Sequence, residues 1–140
     1  MKLTQEEQDK LPISLLRNAI QTPDGTILQS YHSHDCRQHI DKNGYTYMID
    51  GGLAYIRRSI NKEAPYKCMN IRLDADIEEI REGFTWGTYG KNGDEELQYK
   101  PLKTLSDTHV QAIINDEYWC SPIMKLELQY RKANGIVVED

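Results

Sequence analysis

Residues 32–58 read HSHDCRQHIDKNGYTYMIDGGLAYIRR, and their reading decides the fold. In the middle, Asp41-Lys42-Asn43-Gly44 ends in Asn-Gly, the pair best suited to a tight hairpin turn because both residues tolerate positive φ. After it, Tyr45, Tyr47 and Ile49 alternate with Thr46 and Met48. That period of two belongs to a strand with one buried face. The stretch therefore predicts a hairpin of about residues 34–40 and 45–49. Asp50-Gly51-Gly52 then turns the chain, and residues 53–60 follow as a last strand or one helical turn.

Upstream, Thr22-Pro23-Asp24-Gly25 is a second strong turn signal, with Pro presetting one dihedral and Gly accepting positive φ. It predicts a hairpin of about residues 15–21 and 26–32. Thr4 and Glu7 fit a capping box, but Pro12 soon ends the helix they would start. Residues 1–12 are expected to form a mobile or loosely docked arm. Downstream, residues 67–73 read as a short strand. Asp76 and Glu79 match a further capping box, with Ile77, Ile80 and Phe84 on one helical face. Residues 85–93 read as a loop or hairpin tip, and 97–102 as extended around Pro101. Ser106 is a good N-cap for a helix over about 107–116. From Met124 to Tyr130 the pattern alternates perfectly, so period alone does not choose between helix and strand. The Ser121-Pro122 start, the helix formers between and the Asn134-Gly135 stop favour helix. The expected class is α+β: an antiparallel β-hairpin unit over 13–60, packed as one compact domain against a helix-rich module over 74–135.

Composition narrows the function. At 140 residues, 39% hydrophobic and 28% charged, the chain is long enough to fold without disulfides or a structural metal. Its three cysteines are scattered, with no Cys-x-x-Cys pair, which argues against a disulfide framework and a four-cysteine zinc site. No apolar run approaches the roughly 20 residues that span a bilayer, so no membrane role is expected. The first residues lack the apolar core of a signal peptide, so the expected location is cytoplasmic. With 17 basic and 22 acidic residues, general nucleic-acid binding is disfavoured. Nine tyrosines suit half-buried faces, interfaces or ligand pockets, and equally the rim of a small core.

Three groups of residues carry a resemblance. They are Arg17-Asn18-Ala19; Ser30-x-His32-x-His34-Asp35; and Asp50-Gly51-Gly52-x-x-Tyr55-x-Arg57-Arg58. Together they resemble a family of small proteins encoded by tailed bacteriophages. In many of those, a Cys-x-x-Cys-Gly knuckle precedes the histidines and a Cys-x-Cys-Gly knuckle follows them, as in a zinc ribbon. Laid on this chain, the knuckles fall on residues 21–25 and 41–44, where the glycines remain and the cysteines do not. The back half is similar to another recurrent phage pattern through Phe84-x-Trp86-Gly87, Pro101-Leu102-Lys103, the helix containing His109, and Leu126-Glu127-Leu128-x-Tyr130-Arg131-Lys132. The resemblance implies a phage accessory protein in the host cytoplasm, acting on host defence, nucleotide signals or transcription.

Two clusters offer chemistry. If His32 and His34 lie two apart on a strand they share a face. With Asp35, and with His39 or Asp50 nearby, they could hold zinc or another divalent metal; equally they could be solvated or bonded to Asp35. Asp50-Gly51-Gly52 could expose consecutive N–H groups as an anion nest, with Arg57 and Arg58 adding phosphate contacts. Tyr45, Tyr47 and Tyr55 could stack on a base, or equally belong to the core. No nucleophile–base constellation is complete, so binding is favoured over catalysis. The expected ligand is a nucleotide-derived defence signal, captured by a homo-oligomer without a cofactor. The alternatives are an inhibitor whose acidic surface covers a host defence or transcription protein, and a metal-dependent phosphoesterase using His32, His34, Asp35 and Asp50.

Overall fold

Two hairpins build residues 12–73, one of two compact units in the computed structural model, which describes residues 1–140. β1 (Asn18–Gln21) pairs antiparallel with β2 (Ile27–Ser30) across the Thr22–Gly25 turn. In the second sheet, β3 (Arg37–Ile40) pairs with β4 (Thr46–Asp50), and β5 (Arg57–Arg58) lies on the other side of β4. β6 (Lys67–Cys68) completes the first sheet beside β1, which carries the unit past residue 60 to Leu73. The alternation in β4 does what the sequence requires of it. Tyr47 and Ile49 turn inward to meet Ile20 and Leu28, with Tyr45 and Tyr66 packed against them. Each fully buried apolar side chain of this size contributes about 1.5–3 kcal/mol.

Polar side chains clip the two hairpin turns together at the places where the resemblance lays its knuckles. The Asp24 N–H donates to Asp41 Oδ2 at 2.9 Å, and the Lys42 N–H donates to Asp24 Oδ2 at 3.2 Å. His39 Nε2 lies 3.0 Å from the same Asp24 oxygen. The Thr22 hydroxyl, then the His39 contact, hold the Asp24 carboxyl far below the usual carboxylate range. A carboxyl depressed in the folded state stabilises fully above its unfolded value of about 3.9, and that contribution is lost as the pH falls below it. The melting temperature should therefore fall more steeply between about pH 5 and about pH 3 in the natural protein than in Asp24→Asn. Asp35 titrates in both proteins and cancels in the comparison. Equal slopes would mean that the clip contributes nothing.

The second unit comprises residues 1–11 and 74–140. α1 (Gln5–Lys10) carries the expected capping box, with Thr4 and Glu7 bonding each other's backbone N–H. The arm is not loose. The Met1 amino group lies 3.0 Å from Asp76 Oδ2, and the Ile77 N–H donates to the Met1 carbonyl at 2.7 Å. α2 (Ile77–Gly83) starts at Asp76, whose side chain caps the Glu78 N–H, and buries Ile77 and Ile80. Between α2 and the later helices stands a hairpin that the sequence only half shows, β7 (Thr85–Thr88) with β8 (Gln98–Pro101). Gly87 within β7 and Pro101 at the end of β8 disguise it, since both residues normally argue against strand.

α3 (Asp107–Asn115) begins at Ser106, whose hydroxyl accepts from the His109 N–H. α4 (Ser121–Asn134) settles the 122–134 alternative as helix, ending on Gly135 in the left-handed region. Its buried residues are Ile123, Met124, Leu126, Glu127 and Arg131, a helical face rather than an alternating one. Glu127 and Arg131 sit in the interior as a network: Arg81 Nε reaches Glu127 Oε1 at 2.9 Å and Arg131 Nε reaches Oε2 at 2.7 Å.

The fold is thus α+β, with strands dominating the first half and helices the second. No helix is long and apolar enough to cross a membrane. Charge divides with the units. Residues 12–73 hold eight Lys and Arg against five Asp and Glu, a formal +3, whereas the other unit holds nine against seventeen, a formal −8.

Candidate functional site

The Asp50-Gly51-Gly52 loop is built by close packing. At Gly51 (φ 111°) a Cβ would collide with the Tyr55 carbonyl oxygen, and at Gly52 (φ 53°) with the backbone of His32. Only glycine fits either place. The expected anion nest is closed at Gly52, whose N–H donates to Ser30 Oγ at 2.9 Å. The Gly51 carbonyl in turn accepts the N–H groups of Ala54 and Tyr55, at 3.0 and 3.2 Å.

Arg57 and Arg58, alike in the sequence, are used differently. The Arg58 guanidinium is engaged by Asn18 Oδ1 at 2.7 Å and by Asn70 Oδ1, and lies 5.6 Å from the centre of the Tyr66 ring. It is a structural group, not a free phosphate ligand. Arg57 is 63% exposed at its side chain, with Nε 3.2 Å from Asp50 Oδ2. Tyr47 is wholly buried and donates its hydroxyl to the Ala64 carbonyl, so its ring is a core element closed to a base. Tyr55 is placed otherwise: its hydroxyl stands 3.1 Å from His34 Nδ1 and 3.4 Å from Asp50 Oδ2. The chain therefore gathers His34, Asp50, Tyr55 and Arg57, and leaves Tyr47, Arg58 and the Gly52 N–H outside the group.

His32, His34 and Asp35 lie in a turn rather than on a strand, so the shared-face argument does not apply. The turn is closed by the Asp35 N–H on the His32 carbonyl at 3.0 Å and the Ser30 hydroxyl on the Asp35 carbonyl at 2.7 Å, with His34 at φ 64°. His32 Nδ1 faces the Ser33 carbonyl at 2.9 Å. The Asp35 carboxylate accepts the Tyr31 N–H at 2.8 Å and meets Arg37 Nε at 3.1 Å. Burial alone would raise the Asp35 pKa, but these two donors outweigh it and lower it. No group of three or more His, Cys, Asp or Glu side chains converges as metal ligands.

A cleft of about 470 Å³ lies instead in the 74–140 segment, lined among others by Lys91, Lys100, Ser106, Thr108, His109 and Asp140. That volume is within the usual range for small-molecule sites. Lys100 projects from β8, Lys91 from the loop after β7, and the hydroxyls come from the start of α3. An anion already sits there: Asp140 Oδ1 accepts the Thr108 hydroxyl at 2.8 Å. The hydroxyls of Ser106 and Thr108 hold the Asp140 carboxyl below its ordinary range, with Lys91 adding its charge. Burial, and then Lys100, push the His109 imidazole down toward its neutral form. Its ring meets Trp86 edge-on at 6.3 Å, and Trp86 meets Tyr118 in the same way at 5.2 Å. Sequence reading missed this cleft because its residues come from separate segments; the only local signal is the Ser106-x-Thr108 helix start. No protein-family model matches the chain, and comparison with curated proteins and with solved structures found no match.

Proposed function

We propose that this chain is a non-enzymatic binding protein for a small, nucleotide-derived anion, held in the cleft between β8 and the start of α3. The observation that carries the reading is the Asp140 carboxylate, which rests on Thr108 in a cleft lined by Lys91 and Lys100, with Glu139 as its other acid. The two lysines stand in an otherwise acidic unit, and a phosphoryl group uses the same hydroxyl and ammonium donors as a carboxylate. The His109 ring lines the cleft and offers aromatic surface beside the charges, with Trp86 edge-on against it. A role in sequestering a host defence signal rests on the resemblance to phage proteins.

Calorimetry with a panel of linear and cyclic nucleotides tests the reading. A Lys91→Ala, Lys100→Ala variant should bind about tenfold more weakly or worse, since one charge-assisted contact is worth about 1.5–3 kcal/mol. Absence of saturable binding to any nucleotide overturns the proposal. Binding lost in Arg57→Ala but kept in the lysine variant would return the site to the hairpin unit. One observation favours a second reading, an inhibitor of a basic host protein: the formal charge of −8 on the unit that holds the cleft. It requires a stable, salt-sensitive complex with a purified basic partner.

A further inference from the structure

We infer that Glu139 and Asp140 form a displaceable wall of the cleft, and that an anionic ligand reaches the Thr108 end by displacing the Asp140 carboxylate. The inference rests on the cleft being the binding site. Three contacts place the segment 136–140. The Ile136 N–H donates to the Arg131 carbonyl at 2.9 Å, the Asp107 N–H to the Val138 carbonyl at 2.8 Å, and the Thr108 hydroxyl to Asp140 at 2.8 Å. The segment thereby covers two donors at the start of α3, which are the groups that an incoming oxyanion would use.

Its attachment is slight. No residue of 136–140 is buried, and Val137 is 71% exposed. Releasing its end replaces two contacts, the Thr108 hydroxyl on Asp140 and the Asp107 N–H on the Val138 carbonyl. Two anions cannot share the donors, so segment and ligand compete. The competition lowers apparent affinity to the fraction of time the Thr108 hydroxyl is free of Asp140. A segment in place about nine-tenths of the time would weaken binding about tenfold.

The test uses the full chain with pyrophosphate as the probe, in calorimetry and in amide NMR. Asp140→Asn should bind about tenfold more tightly than the natural protein, and the Lys91→Ala, Lys100→Ala variant more weakly. In the natural protein, saturation should shift the Asp107 and Val138 amides and leave Val138 with the signature of a free chain. Unchanged affinity in Asp140→Asn, or an unmoved Val138 amide at saturation, overturns displacement while the lysine effect keeps the cleft reading alive. Equal binding in all three proteins overturns both.

Discussion

Glu127→Ala should destabilise the helical unit by about 3–5 kcal/mol, the usual consequence of removing one partner from a buried ion pair. Glu127 is fully buried and is the shared acceptor for Arg81 and Arg131. Arg131 is itself only 2% exposed. Its other contacts, to Asp107 at 2.7 Å and to the Leu102 carbonyl at 3.1 Å, hold it in place and prevent it from turning to solvent. The variant would thus bury one cation without its main counter-charge and strand part of a second. A domain of this size is stable by about 5–15 kcal/mol in total, so the loss is a large share. Trp86 and Trp119, the only tryptophans, both lie in this unit, so urea unfolding followed by tryptophan fluorescence reads it directly. Glu127→Gln keeps the shape and one acceptor and should fall between. A shift of less than about 1 kcal/mol in Glu127→Ala would show that the network is not what holds α2 to α4.

What the sequence discloses, and what it hides, follows from how far apart the cooperating residues are. Turn chemistry and caps act within four residues, and so Thr22–Gly25, Asp41–Gly44, Thr4, Asp76 and Ser106 all occur where their signals place them. Local pattern fails where a tertiary contact overrides it. His32 and His34 alternate like a strand, yet the Ser30 hydroxyl bonded to the Asp35 carbonyl folds that stretch into a turn. Residues 85–93 read as a loop or hairpin tip, yet Thr85–Thr88 is a strand, with Gly87 opposite Tyr99 and Thr85 opposite Pro101. Of the candidate site, the group of Asp50, Tyr55 and Arg57 was legible because it spans eight residues. The cleft was not, since Lys91, Lys100, His109 and Asp140 share no local spacing and meet only through the placement of β8, α3 and the final segment.

The Arg57-Arg58 pair carries the sharpest consequence of that limit. Successive residues of a strand face opposite ways, so adjacent arginines on β5 cannot serve the same purpose. Arg58→Ala should destabilise the hairpin unit by about 2–3 kcal/mol, because it leaves the side-chain oxygen of the buried Asn18 without its donor, while Asn70 Oδ1 keeps only the Ala19 N–H at 3.1 Å. Asn18 is completely buried, and its amide also holds the Asp50 carbonyl at 3.1 Å and the Tyr55 carbonyl at 3.3 Å. Loosening Asn18 therefore loosens the loop that carries Asp50, Gly51 and Gly52. Arg57→Ala removes a solvent-screened, 63% exposed partner from the buried Asp50 carboxylate, which keeps the Tyr55 hydroxyl at 3.4 Å, and should cost about 1 kcal/mol, less than Arg58→Ala. Amide hydrogen exchange at Ile20, Tyr47 and Ile49 measures the difference within the core that the two sheets share. Arg58→Lys should recover only part of the loss, since an ammonium lacks the planar guanidinium that meets both asparagines and lies over the Tyr66 ring. Equal protection in Arg57→Ala and Arg58→Ala would contradict this division of labour. If the division holds, a double arginine variant loses any ligand through loss of structure, and a binding test of the hairpin unit must change Arg57 alone.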